Sequence, residues 1–222
     1  MNEYEQECTL ILMQKGLEKM PEIPENIKKL DIRRNKLSRL SFSENSSLEY
    51  LDASDNLIKS LKGVSGLKNL QVFDAGYNLI KKIPKLELPA LKELYLMSND
   101  IKKMKNIHFS NLLKIDLANN EIKTLRKFET PEISEAYFGA NKISKIENIS
   151  DFSHLKILDL QFNKLKELDC SLLPSGIEVL LVNDNRKLKV IKNIENLKFL
   201  KILGLKNTKV IKQEISKNIE IW

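Results

Sequence analysis

The side chains best suited to chemistry in this sequence are carboxylates at a repeating interval. Asp31, Asp52 and Asp74 recur every 21–22 residues. Brought side by side about 5 Å apart, such acids could hold a divalent cation, or share a proton so that one member becomes a general acid. Nothing else in the chain completes such a centre. The two histidines, His108 and His154, and the two cysteines, Cys8 and Cys170, lie far apart in sequence and lack metal-ligand spacing. No histidine or serine is placed to build a nucleophile, and an open row of acids neither excludes water nor supplies an oxyanion site. The sequence therefore predicts no catalytic residue, no metal ligand and no cofactor. His108, His154 and Cys170 read as surface or structural residues.

What must position the carboxylates is a repeat. Ile27-Lys-Lys-Leu-Asp-Ile-Arg-Arg-Asn35 has the form Leu-x-x-Leu-x-Leu-x-x-Asn. The form returns at Leu48–Asn56, Leu70–Asn78, Leu91–Asn99, Leu112–Asn120, Ile133–Asn141, Leu155–Asn163 and Ile177–Asn185, and Leu200–Thr208 closes the series. Each unit carries a second apolar pair, such as Ile58 and Leu61 or Ile143 and Ile146. This is the pattern of a leucine-rich repeat. It predicts an α/β solenoid with a curved parallel sheet on its concave face and 21–22-residue coils whose backs are turns and short 3₁₀ segments. The fourth and sixth motif residues point inward, and the third, fifth and seventh point outward. The asparagines are expected to bond backbone groups in a ladder. Pro84, Pro89, Pro131 and Pro174 fall in the return segments, clear of the strands.

The ends are atypical, as terminal repeats usually are. Thr9-Leu-Ile-Leu-Met-Gln-Lys15 reads as a degenerate first unit with Leu10 and Leu12 inward, Leu17 and Met20 as its apolar pair, and Lys15 in place of asparagine. The expected organisation is a single domain: cap and degenerate repeat over 1–26, nine repeats over 27–208, and a C-terminal cap over 209–222. Residues 2–8 would start the first cap as a short helix. Ile211, Ile215, Ile219 and Ile221 would cover the last coil, with Trp222 as a hydrophobic plug.

Composition agrees with this reading. The 222 residues are 42% hydrophobic, enough for a substantial core, and no run of 18 apolar residues suggests a membrane span. The acidic start lacks the basic and apolar regions of a secretory signal, and two cysteines make no disulfide framework. An intracellular monomer, in cytoplasm or nucleus, is the expectation. The net charge of +7 is unevenly placed. Outward motif positions three, five, seven and eight hold five basic residues (Lys29, Arg33, Arg34, Lys114, Lys206) and nine acids (Asp31, Asp52, Asp55, Asp74, Glu93, Asp116, Glu135, Asp159, Asp184). The concave face is thus acidic, while lysines such as Lys81, Lys82, Lys102 and Lys103 follow the asparagines as a solvated rim. Position five reads Asp31, Asp52, Asp74, Tyr95, Asp116, Tyr137, Asp159, Leu181, Gly204. Exposed aromatic rings beside carboxylates suit recognition of a basic protein surface. The residues expected to bind a partner are Asp52, Asp74, Tyr77, Glu93, Tyr95, Asp116, Tyr137, Asp159 and Phe162.

The unit Asn141-Lys-Ile-Ser-Lys-Ile-Glu-Asn-Ile, together with Phe73–Ile83 and Val182-Asn-Asp-Asn185, resembles the short-repeat regulatory subunit of type-1 protein phosphatase. The resemblance covers about residues 9–208. It implies a binding protein without activity of its own, whose concave face grips the phosphatase catalytic subunit and influences its maturation and activity. Asp74, Tyr95, Asp116 and Tyr137 match that family's alternation of acid and aromatic residues, and Asp159 matches a further acid. Leu181 stands where the family has a tryptophan and Gly204 where it has a tyrosine, and nothing like the family's C-terminal cap follows Thr208. Two other readings compete. The basic rim could serve a ribonucleoprotein component, as in the leucine-rich-repeat A-prime protein of a spliceosomal particle, although the acidic concave face disfavours nucleic acid there. A generic adaptor is the third.

Overall fold

The computed structural model describes residues 8–43, 47–211 and 219–222. Among these residues fifteen short strands follow one another: β1 (Thr9–Ile11), β2 (Lys29–Asp31), β3 (Tyr50–Asp52), β4 (Val72–Asp74), β5 (Glu93–Tyr95), β6 (Lys114–Asp116), β7 (Thr124–Leu125), β8 (Glu135–Tyr137), β9 (Lys145–Ile146), β10 (Ile157–Asp159), β11 (Glu167–Asp169), β12 (Val179–Leu181), β13 (Val190–Lys192), β14 (Ile202–Gly204) and β15 (Glu220–Ile221). Eleven of them form one continuous parallel sheet in the order β1-β2-β3-β4-β5-β6-β8-β10-β12-β14-β15. The strands belong to successive coils of a solenoid, which is the leucine-rich-repeat fold; among the described residues helix is confined to 3₁₀ segments at Lys62–Val64, Cys170–Leu172 and Ile194–Asn196.

The register is the one the repeat dictates. Asp31 pairs with Asp52, Asp52 with Asp74, Asp74 with Tyr95, Tyr95 with Asp116, Asp116 with Tyr137 and Tyr137 with Asp159. Leu30, Leu51, Phe73, Leu94, Ile115 and Leu158 point inward and are fully buried, as are Leu37, Ile58, Ile80, Ile101 and Ile122 just past the asparagines. Phe128 packs edge-on against Phe138 and at 4.7 Å from Phe152, which fills the wider part of the core.

The asparagine ladder holds the coils together. Asn120 donates through Nδ2 to the carbonyls of Leu117, Ala118 and, in the preceding coil, Leu96, and accepts at Oδ1 from the Ile101 N–H at 2.9 Å. Asn56, Asn78, Asn99, Asn141 and Asn163 repeat the set. The residue before each ladder position adopts the left-handed conformation: Arg34, Asp55, Tyr77, Ser98, Asn119, Ala140, Phe162, Asp184 and Asn207 all have φ between 52° and 59°. That turn lets its N–H continue the inter-coil bonding, as from Tyr77 to the Met97 carbonyl at 2.8 Å.

The degenerate first unit is a true coil. β1 pairs with β2, Gln14 takes the left-handed position (φ 58°), and Asn35 Oδ1 accepts from the N–H groups of Lys15 and Leu17. Residues 2–7 of the expected cap helix, and Ile215, lie outside the described residues. Three features differ from the sequence expectation. The back is not turns and 3₁₀ alone: β7 pairs with β9 and β11 with β13, because coils stacked in register also align their extended return segments. β15 adds a strand beyond the last repeat, with Ile219 and Ile221 packed on the core. Trp222 is no plug and Ile211 no cover; both side chains are more than half exposed, and it is the Trp222 backbone that caps the sheet by accepting from the Leu205 and Lys206 N–H groups.

Candidate binding face

The position-five aspartates have an internal task as well as an outward one. In each, Oδ1 accepts the backbone N–H two residues on: Arg33 for Asp31, Ser54 for Asp52, Gly76 for Asp74, Ala118 for Asp116 and Gln161 for Asp159, at 2.8–3.1 Å. This is an Asx turn, and it satisfies the N–H where the chain leaves the strand. Beyond that bond the five acids differ. Arg33 lies 3.0 Å from Asp31 and 3.6 Å from Asp52, so the N-terminal end of the row is neutralised. Asp52 is 6% exposed and also takes the Ser54 hydroxyl, so it is already occupied. Asp74, Asp116 and Asp159 have no salt-bridge partner within the protein among the described residues. Burial raises the pKa of all three above the usual carboxylate range, that of Asp74 to about 6, with neighbouring acids adding to the effect on Asp74 and Asp116.

Tyr95 and Tyr137 lie two strands apart with Asp116 between them. Each hydroxyl donates to the glutamate two residues before it, Tyr95 to Glu93 at 2.5 Å and Tyr137 to Glu135 at 2.9 Å. Burial and those acceptors hold both phenols protonated, Tyr137 with a pKa near 12. The middle strand contributes Lys114, whose Nζ lies 5.8 Å from the Tyr95 ring centre, 5.3 Å from that of Tyr137 and 3.1 Å from Glu135. Lys114 and Glu135, outward on the concave face, are not in the set the sequence points to for partner binding. The signal was there, in Glu93-x-Tyr95, Lys114-x-Asp116 and Glu135-x-Tyr137 on three consecutive coils.

Tyr77 and Phe162 are placed differently from the other predicted residues. Both occupy the left-handed position past the strand end, at the edge where the sheet meets the ladder, and are 55% and 56% exposed. Phe162 borders a shallow hollow with Lys164, Asp184 and Arg186. Toward the C-terminus the face turns aliphatic: Ile157, Val179 and Ile202 stand in register, with Leu181 beside them. Gly204 is small for a reason. The Asn183 side chain lies over it, accepting from the Lys206 N–H and donating to Gln161, and a Cβ would come within 2.5 Å of that amide. His108 pairs with Glu129 on the solvent-facing back, and Cys170 is fully buried, its thiol pushed up to about 12 by burial. Among the described residues no cluster of histidine, cysteine and carboxylate side chains is arranged to hold a metal ion, and no helix is long and apolar enough to cross a membrane.

Comparison with known proteins bears on the fold. A family model described as leucine-rich repeats (two copies) matches residues 46–88 and 68–107. No curated protein matches the chain. Among solved structures, a leucine-rich-repeat protein of Leptospira interrogans aligns at 25% identity and a TM-score of 0.68, covering 89% of this chain and 55% of its own. The leucine-rich effector YopM of Yersinia pestis aligns at 23% identity and 0.78, covering 96% and 59%. The functional domain of InlJ from Listeria monocytogenes aligns at 16% and 0.65, covering 89% and 49%. The chain thus spans about half the length of these structures, and the likeness is one of fold.

Proposed function

We propose that this solenoid is a non-catalytic interaction scaffold that binds a basic protein surface through its concave face, inside the cell and as a monomer, and that its partner is the catalytic subunit of a type-1 protein phosphatase. One observation carries the first part: Asp74, Asp116 and Asp159 are desolvated, aimed outward and, among the described residues, in no salt bridge, so an incoming lysine or arginine regains what burial costs them. Tyr95 and Tyr137 between them supply rigid amphipathic contact. Ile157, Val179, Ile202 and Leu181 extend the same face with aliphatic area. An interface of about 800 Å² per partner would suffice, less than a sheet of this length offers. The identity of the partner rests on the resemblance of the Asp74, Tyr95, Asp116, Tyr137 alternation to the phosphatase regulators. Two free thiols, Cys8 and Cys170, support the reducing compartment.

The test is capture from cell extract on immobilised wild type and on the Tyr95→Ala/Tyr137→Ala variant, with the phosphatase catalytic subunit as the readout. Retention by the wild type alone is expected. Equal retention by both would move the working surface away from the two rings, and recovery of RNA with its proteins in place of the phosphatase would end the phosphatase reading.

A further inference from the structure

Three adjacent strands build a checkerboard on the concave face. Glu93, Lys114 and Glu135 stand in register in one row, and Tyr95, Asp116 and Tyr137 in the next. The centre of this patch is a single ammonium group. Lys114 Nζ sits within 6 Å of both ring centres, inside cation–π range, and 3.1 Å from Glu135. The hydroxyls of the two tyrosines are tied to Glu93 and Glu135, which fixes both rings on either side of that point. Asp116, two residues along the same strand, has one carboxylate oxygen bonded to the Ala118 N–H.

We infer that this patch is a receptor for one arginine side chain of the protein partner, and that Lys114 is the internal stand-in which fills it in the free protein. The inference rests on the concave-face reading and names the group that face takes. Two aromatic rings with the Glu135 carboxylate at 3.1 Å and Asp116 on the same strand form an environment for a cation, and the chain fills it with its own. The stand-in is displaceable, because Lys114 and Glu135 are each about a third exposed and such a pair is worth little. Guanidinium is the better occupant: it is planar, less strongly hydrated than ammonium, stacks on aromatic faces and can bond a carboxylate with two N–H groups at once. Without Lys114 the patch presents Glu93, Asp116 and Glu135 with no cation among them, so its attraction for an external one rises.

The experiment uses the tripeptide acetyl-Ala-Arg-Ala-amide as probe, followed by the ring proton resonances of Tyr95 and Tyr137. Lys114→Ala and, as a second variant, Lys114→Ser are expected to bind the probe at least fivefold more tightly than wild type, with the two rings the most shifted. Lys29→Ala removes the same charge from the same row of the sheet four coils away and is expected to change binding less than twofold. Adding Tyr95→Leu and Tyr137→Leu to Lys114→Ala should abolish the gain. No gain in either Lys114 variant, an equal gain in Lys29→Ala, or a gain that survives loss of both rings would overturn the inference. None of those results depends on phosphatase capture, so the two readings fail separately.

Discussion

At the scale of single residues, one polar side chain per coil decides whether the coils adhere. Asn120 replaces water for four backbone groups at once, and two of them, the Ile101 N–H and the Leu96 carbonyl, belong to the neighbouring coil. Asn120→Ala leaves these buried groups unpaired and is expected to cost about 3 kcal/mol, while Lys123→Ala on the exposed back stays within about 0.5 kcal/mol. Urea titration of the two variants checks this, and similar midpoints would show that the ladder carries no such load. Asp74 shows the opposite balance. Folding raises its pKa to about 6, so the folded state holds this proton more tightly than the unfolded chain does. Its contribution is most favourable below about pH 4 and is lost as the pH rises through 6, after which the ionised group strains the fold. Asp74→Asn keeps an acceptor for the Gly76 N–H and removes the charge. It should stabilise the protein at pH 7.5 by about 1 kcal/mol, a figure discounted for partial exposure, and by nothing measurable at pH 3.5. A gain of equal size at both values would contradict the assignment.

At the scale of the coil, the repeat made most of the fold legible. Leucine spacing fixed the inward positions, the asparagines fixed the stacking, and together they set the register that lines up Asp74, Tyr95, Asp116 and Tyr137. What the pattern hid was backbone conformation and hydrogen bonding at outward positions. Residue type does not announce the left-handed turn before each asparagine, since Arg34, Tyr77, Ala140 and Phe162 adopt it alongside the more suited Asp55, Asn119 and Asn207. Nor does it reveal that each position-five aspartate also bonds its own backbone. β15 and the back strands lack the motif, so the repeat pattern does not mark them. The left-handed position has a price in stability: Tyr77→Asn should raise the midpoint of thermal unfolding, by the equivalent of about 0.5–1 kcal/mol, since asparagine tolerates φ near 53° better than tyrosine. Loss of stability in that variant would mean that the Tyr77 ring packs more than its exposure indicates.

At the scale of the whole molecule, the sheet is a graded surface. Its N-terminal end is neutralised by Arg33, its middle is acidic and aromatic from Asp74 to Asp159, and its C-terminal end is aliphatic from Ile157 to Ile202. A partner that matches this order is held in one orientation, because reversing it would set apolar side chains against carboxylates and leave charges unpaired. The most direct test of that account is titration of purified phosphatase catalytic subunit with wild type and with a Tyr95→Ala/Asp116→Asn/Tyr137→Ala variant whose thermal unfolding shows an intact fold. Submicromolar binding by the wild type and at least a hundredfold loss in the variant is the predicted result. Equal affinity for the two proteins, or no binding by either, would contradict it.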